Sequence, residues 1–190
     1  MSRLLTYFIF FSTLTLSFSG CKKPPEYPDV PIIIFERFEL FTDSAFFIIT
    51  FKDGDGDIGL NPENVTLEDS QGEFRPCLND TDSIKCGSSK FCAPNPKFFN
   101  LFFDFYKKTS GTFEQYKFDS CGVQPHYRIP RLSPEDYEGP IDGTIRTKIT
   151  DYIGLFNKSD TIKLHIHLLD RALNSSDTIP TCEFTINDNC

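Results

Sequence analysis

The chain predicts an all-β fold, two antiparallel sheets packed as a sandwich of immunoglobulin-like Greek-key type, with a small β-barrel as the alternative. Three observations carry this. Apolar and polar residues alternate through about eight short segments, the period of a half-buried strand. No ten-residue run beyond the N-terminal stretch shows the 3.6-residue period of an amphipathic helix. Turn-forming residues separate the segments, and the roughly 160 residues after residue 31 suit one domain that buries about 70% of the surface its unfolded chain exposes.

Residues 1–20 carry an apolar, hydroxylated core from Leu4 to Phe18, preceded by Arg3. That is the layout of an export signal, and the core is shorter than the roughly 20 residues a spanning helix needs. Phe18-Ser19-Gly20-Cys21 resembles the bacterial lipobox, with Phe18 where Leu is commoner. The resemblance implies cleavage before Cys21, lipidation of that residue and a partner in the lipid bilayer; several acyl chains anchor stably where one does not. Residues 21–31 follow with Pro24, Pro25, Pro28 and Pro31, an extended tether of about 3.1 Å per residue. Residues 32–190 form the expected β-sandwich domain.

Within that domain Ile32 to Phe41 reads as the first strand. Ala45, Phe47, Ile49 and Phe51 share one face of the second. Val65 to Leu67 is a short third. Phe99, Leu101, Phe103 and Phe105 form an apolar face against Asn100 and Asp104, and Thr112 to Phe118 follows. Ile141, Ile145 and Ile149 alternate with Thr144, Arg146 and Lys148. Ile162, Leu164, Ile166 and Leu168 alternate with Lys163, His165 and His167, and Cys182, Phe184 and Ile186 close the set.

Between the second strand and Val65 lies Asp53-Gly54-Asp55-Gly56-Asp57-Ile58-Gly59. Asp53, Asp55 and Asp57 can turn toward one point if the backbone coils, which the glycines permit. Hard oxygen ligands on a loop favour calcium over softer-ligand metals. A plain acidic turn is the other reading, because Asp and Gly are default turn residues. An EF-hand fails: Ile58 stands where the sixth position needs Gly, and Asn64 where the twelfth needs Glu.

In an immunoglobulin-type sandwich the loop after the second strand and the loop before the last lie at one end. Asp170 and Asn174 would then complete the ligand set. The segment Asp170-Arg171-Ala172-Leu173-Asn174-Ser175-Ser176 resembles the D-x-A-x-N-x-S turn of bacterial immunoglobulin-like and cadherin-like domains. Together with DGDGDIG and Tyr127-Arg128-Ile129-Pro130, it is similar to a group of uncharacterised Bacteroidetes lipoproteins. Their acidic surface-export signal falls close to the lipidated Cys, whereas here the first acid is Glu26, so the periplasmic and surface sides of the outer membrane both stay open. Asp43-Ser44-Ala45, Asp82-Ser83-Ile84, Asp160-Thr161-Ile162 and Asp177-Thr178-Ile179 resemble the Bacteroidetes O-glycosylation triplet, with Ser44, Ser83, Thr161 and Thr178 as acceptors; the alternative is that Asp with a hydroxyl residue opens a strand.

After lipidation of Cys21, six cysteines remain: Cys77, Cys86, Cys92, Cys121, Cys182 and Cys190. In an exported chain these read as disulfide candidates, with Cys86 and Cys92 as the local pair inside a Cys-bearing insertion near 76–96. A zinc knot lacks the paired short spacings it needs. The net charge of −8 and pI near 4.9 argue against nucleic acid as a partner. His165 and His167 share a strand face with Lys163, a solvated surface rather than a zinc site. No G-x-S-x-G elbow is present. The expectation is therefore a lipid-anchored envelope binding or structural module without catalysis, calcium-stabilised, engaging an envelope protein or a glycan. The alternative is an envelope hydrolase using carboxylate groups on a glycan or peptide.

Overall fold

Successive side chains of a strand point to opposite faces, so the alternation along β2 (Ala45–Asp53) turns Ala45, Phe47, Ile49 and Phe51 to one side, where all four are buried. The computed structural model describes residues 23, 25–41, 45–61, 83–86, 89–92, 95–118, 125–149 and 155–185, with only the backbone path at 83–86 and 89–92. Around β2, β1 (Ile32–Leu40) pairs antiparallel from Ile32 opposite Lys52 to Leu40 opposite Ala45, with a bulge between Phe35 and Arg37. β3 (Ser83–Cys86) and β4 (Ser89–Cys92) form a separate hairpin. β5 (Leu101–Thr109) is the spine of the second sheet, with β6 (Thr112–Gln115) and β7 (His126–Tyr127) on one of its edges. β8 (Ile141–Lys148) completes the first sheet on β2, and β9 (Ile162–Leu168) pairs β5 and carries β10 (Ile179–Pro180).

The sheet orders β1-β2-β8 and β10-β9-β5-β6 are the A-B-E and G-F-C-C′ orders of an immunoglobulin-type sandwich. One sheet curls into a half-barrel. The two inner faces meet through aromatic rings. Phe47 of β2 sits edge-on to Phe103 of β5 at 4.9 Å between centroids, and Phe38 of β1 stacks on Phe184 at 4.6 Å. Each such pair adds about 0.5–1.5 kcal/mol beyond its buried area. Ile162, Leu164, Ile166 and Leu168 are fully buried, in the predicted phase.

Three local expectations need correction. Phe99 lies before β5 and is half-exposed, while Asn100 is buried. The Asn side chain is satisfied there because its Oδ1 accepts from the Ile129 N–H at 2.6 Å and its Nδ2 donates to the Ile129 carbonyl at 3.2 Å. The last strand lies earlier than Cys182–Ile186: β10 ends at Pro180, and beyond it Phe184 makes only an isolated bridge with Ile162. Thr181 turns inward in place of Cys182, its hydroxyl accepting from the Leu164 N–H at 3.0 Å. In the β3–β4 hairpin, Cys86 stands opposite Ser89 and Cys92 opposite Ser83. Three ladder steps separate the two cysteines, about 10 Å at 3.3 Å per residue, beyond the roughly 7 Å between Cα atoms that a disulfide spans. The register therefore keeps apart the two residues expected as a local pair.

Residues 1–20, Cys21, Ser44, Val65 to Leu67, Cys77, Cys121, Ile186 and Cys190 lie outside the described residues. The expected tether is docked in its second half. The Gly54 N–H donates to the Pro28 carbonyl at 2.9 Å, and the Tyr27 hydroxyl donates to Asp142 Oδ1 at 3.1 Å.

Candidate metal centre

The phase that buries Phe47, Ile49 and Phe51 of β2 carries one step further to Asp53, which is 0% exposed. The phase that buries Leu164, Ile166 and Leu168 of β9 likewise carries on to Asp170, which is 1% exposed. Two strands that are neighbours across the sandwich thus each deliver a carboxylate to the same end of the core. Ile58 bridges Asp170 directly, which locks the loop after β2 to the loop after β9.

The loop coils as its residues suggest. Asp53 Oδ2 accepts from the Asp57 N–H at 2.9 Å, closing the turn on itself. Gly56 and Gly59 have φ of +74° and +94°, the region glycine enters without steric cost. At Gly59 the backbone of Pro130 and Arg131 also fills the space a Cβ would take. Asp57 Oδ2 in turn accepts from the Ala172 N–H at 2.9 Å, and the Asp57 carbonyl accepts from the Arg171 N–H at 3.3 Å. A third segment walls the loop. Leu60 N–H donates to the Ile129 carbonyl, Ser133 Oγ donates to the Gly56 carbonyl at 2.7 Å, and Gly139 N–H donates to the Asp55 carbonyl at 3.2 Å.

One oxygen each of Asp53, Asp57 and Asp170 lies within 4.8 Å of the others. Asp53 Oδ1, Asp55 Oδ1 and Asp57 Oδ1 are buried without a hydrogen-bond partner. Among the described residues no cationic side chain forms an ion pair with these carboxylates, and the Arg171 guanidinium donates to the Gly59 carbonyl at 3.2 Å instead. Burial, reinforced by the neighbouring Asp55, pushes the Asp53 carboxyl up to about 7. Burial and the facing Asp170 push Asp57 up to about 6, and burial raises Asp170 as well. Such groups are costly to keep charged unless a cation sits among them.

The five residues proposed as ligands take different places. Asp53, Asp57 and Asp170 converge. Asp55 presents a buried, unpartnered oxygen but stands outside the converging set. Asn174 braces Asp170: its N–H donates to Oδ1 at 2.7 Å and its Nδ2 to Oδ2 at 2.9 Å. The loop carbonyls of Asp55, Gly56 and Asp57 already accept from Gly139, Ser133 and Arg171, so carboxylates are the readiest ligands. Two oxygens bound to one calcium at 2.3–2.6 Å stand at most about 5 Å apart, a separation that no pair in this triad exceeds. Ser133 and the Tyr27–Pro28 arm escaped the sequence reading, since neither carries a motif and both reach the loop through tertiary contacts alone.

The histidines form no chelate. The Phe102 ring lies between His126 and His167, at 4.9 and 4.7 Å between centroids, the second pair stacked and nearly parallel at 2°. His165 packs on Tyr106 at 4.4 Å. Burial holds all three imidazoles below their usual range. Tyr116 and Tyr127 pack on the core, and Tyr137 stands over Gly56. Thr161 and Thr178 each directly precede a strand, β9 and β10, and Ser83 opens β3. No family profile, characterised protein or solved structure matches the chain.

Proposed function

We propose that the chain is a lipid-anchored envelope module, binding or structural rather than catalytic, whose loop end is held together by calcium. The observation that carries the reading is the set of buried carboxylate oxygens with neither hydrogen-bond donor nor cationic side chain to meet them. Calcium suits them because the ligands are hard oxygens on coiled loops, and a flexible carboxylate loop does not readily supply the tight octahedron of magnesium. The burial of Asp53 and Asp170 favours a stabilising ion over a pair of catalytic acids, since a hydrolase must open its carboxyls to substrate. Export is supported by the even set of six cysteines left once Cys21 is lipidated, a pattern that suits oxidising compartments. The lipobox-like Cys21 and the resemblance to Bacteroidetes lipoproteins favour a module at the outer membrane, with an envelope protein or a glycan as its partner.

Thermal unfolding tests the site. Extracellular calcium modules bind at about 10⁻⁴ to 10⁻³ M. At tenfold excess over the dissociation constant the linkage gain is ~1.4 kcal/mol, a shift of roughly 3–6 °C for a domain of this length. Calcium should therefore raise the melting midpoint by that amount over chelator, magnesium should do less, and Asp57→Asn should remove the calcium shift. A wild-type midpoint that is the same in millimolar calcium and in chelator sinks the proposal.

A further inference from the structure

The loop that carries the carboxylates is also the seat of the N-terminal arm. Because β1 begins with Ile32 opposite Lys52, the chain enters the sandwich at the end where β2 runs out into Asp53. The arm is received there by three residues that flank Asp53 in the sheet. Gly54 N–H donates to the Pro28 carbonyl at 2.9 Å, Asp142 Oδ1 accepts from the Tyr27 hydroxyl at 3.1 Å, and the Lys52 ammonium lies 5.5 Å from the Tyr27 ring centroid. Lys52 and Asp142 are cross-strand partners, as are Asp53 and Ile141. Gly54 has no side chain for a reason: a Cβ there would run into the Tyr27 and Pro28 carbonyls.

We infer that the cation site governs how firmly this arm is seated, a deepening that rests on the calcium reading above. Gly54 lies inside the turn that Asp53 and Asp57 close. A cation drawing Asp53, Asp57 and Asp170 together fixes both ends of that turn, and with them the direction of the Gly54 N–H. With the cation removed, buried carboxylates that repel one another loosen the same turn, and the arm loses its anchoring donor. The arm is short: Tyr27 follows Cys21 by six positions, about 20 Å when extended. A seated arm therefore holds the cation-bearing end of the sandwich toward the anchor and presents the opposite end outward. A released arm lets the domain swivel.

Coupling between two sites is reciprocal and commonly amounts to 5–150-fold. The test is amide hydrogen exchange on the full chain in detergent micelles, with calcium chloride or a chelator, alongside calorimetric titration with calcium. We expect exchange at Gly54 and across residues 26–30 to slow by roughly fivefold or more in calcium. Tyr27→Ala, which touches none of Asp53, Asp57 and Asp170, should abolish that slowing and weaken calcium binding by the same factor. Gly54→Ala should do the same if it folds, and Tyr27→Ala carries the test if it does not. Calcium binding with unchanged exchange at Gly54 overturns the coupling and leaves the site standing. Absence of calcium binding overturns both.

Discussion

Asp53 is the residue at which the sandwich pattern turns from apolar to charged. Its position on the inward face of β2 leaves it fully buried; that burial, reinforced by the neighbouring acids, raises its carboxyl to about 7, and burial with the facing Asp170 raises Asp57 to about 6. An unfolded chain would release both protons near pH 4. Between those values the folded state holds more protons than the unfolded one, so stability falls as pH rises. The contribution is complete below about pH 4 and is lost as pH passes through 6 to 7. In chelator, the melting midpoint of the wild type should therefore fall from pH 5 to pH 8 relative to Asp53→Asn, and calcium should flatten the difference. Wild type and variant tracking each other across that range would show that the carboxyl is charged at no cost.

The loop from Asp53 to Leu60 works as an element because of what its glycines allow. Gly59 combines φ of +94° with a backbone approach by Pro130 that leaves no room for a Cβ. Gly59→Ala should cost about 3 kcal/mol, the sum of left-handed strain and displacement of the neighbouring segment. Chemical denaturation reads this directly, and a loss under 1 kcal/mol would mean that the two segments part easily. The edge strand β1 shows a different local device. Its bulge and its charged residues Glu36, Arg37 and Glu39 interrupt a surface that would otherwise invite pairing with another chain. Arg37 and Arg146 both reach Glu39, at 2.7 and 3.2 Å, and Arg146 also covers the Phe46 ring.

For the whole molecule, the acidic loops after β2 and β9 and the entering arm at Tyr27 and Pro28 lie at one end of the sandwich. Cys21→Ser should move the chain from the detergent phase to the aqueous phase on partitioning, because the substitution removes the thiol that the lipobox-like run would lipidate. Membrane retention unchanged by that substitution would place the attachment elsewhere in the chain.

The fold class was legible in the sequence because sheet burial writes itself as a two-residue period. Ala45 to Phe51 and Ile162 to Leu168 show it without ambiguity, and the two-sheet sandwich follows. The acidic, Gly-spaced run singled out Asp53, and the expected sandwich topology set the loop of Asp170 beside it at one end. What the sequence could not reveal was which polar atoms find partners. Asn100 breaks the pattern yet is buried, since the Ile129 backbone satisfies it from 29 residues away. Asn174 also braces Asp170 through its backbone and side-chain N–H groups, and Asp55 matches its neighbours in spacing yet stands apart from the converging oxygens. Cys86 and Cys92 look like a pair until strand register separates them. Periodicity is a local property of the chain, whereas hydrogen-bond partners, register and the meeting of three carboxylates depend on segments far apart in sequence, which only the tertiary structure brings together.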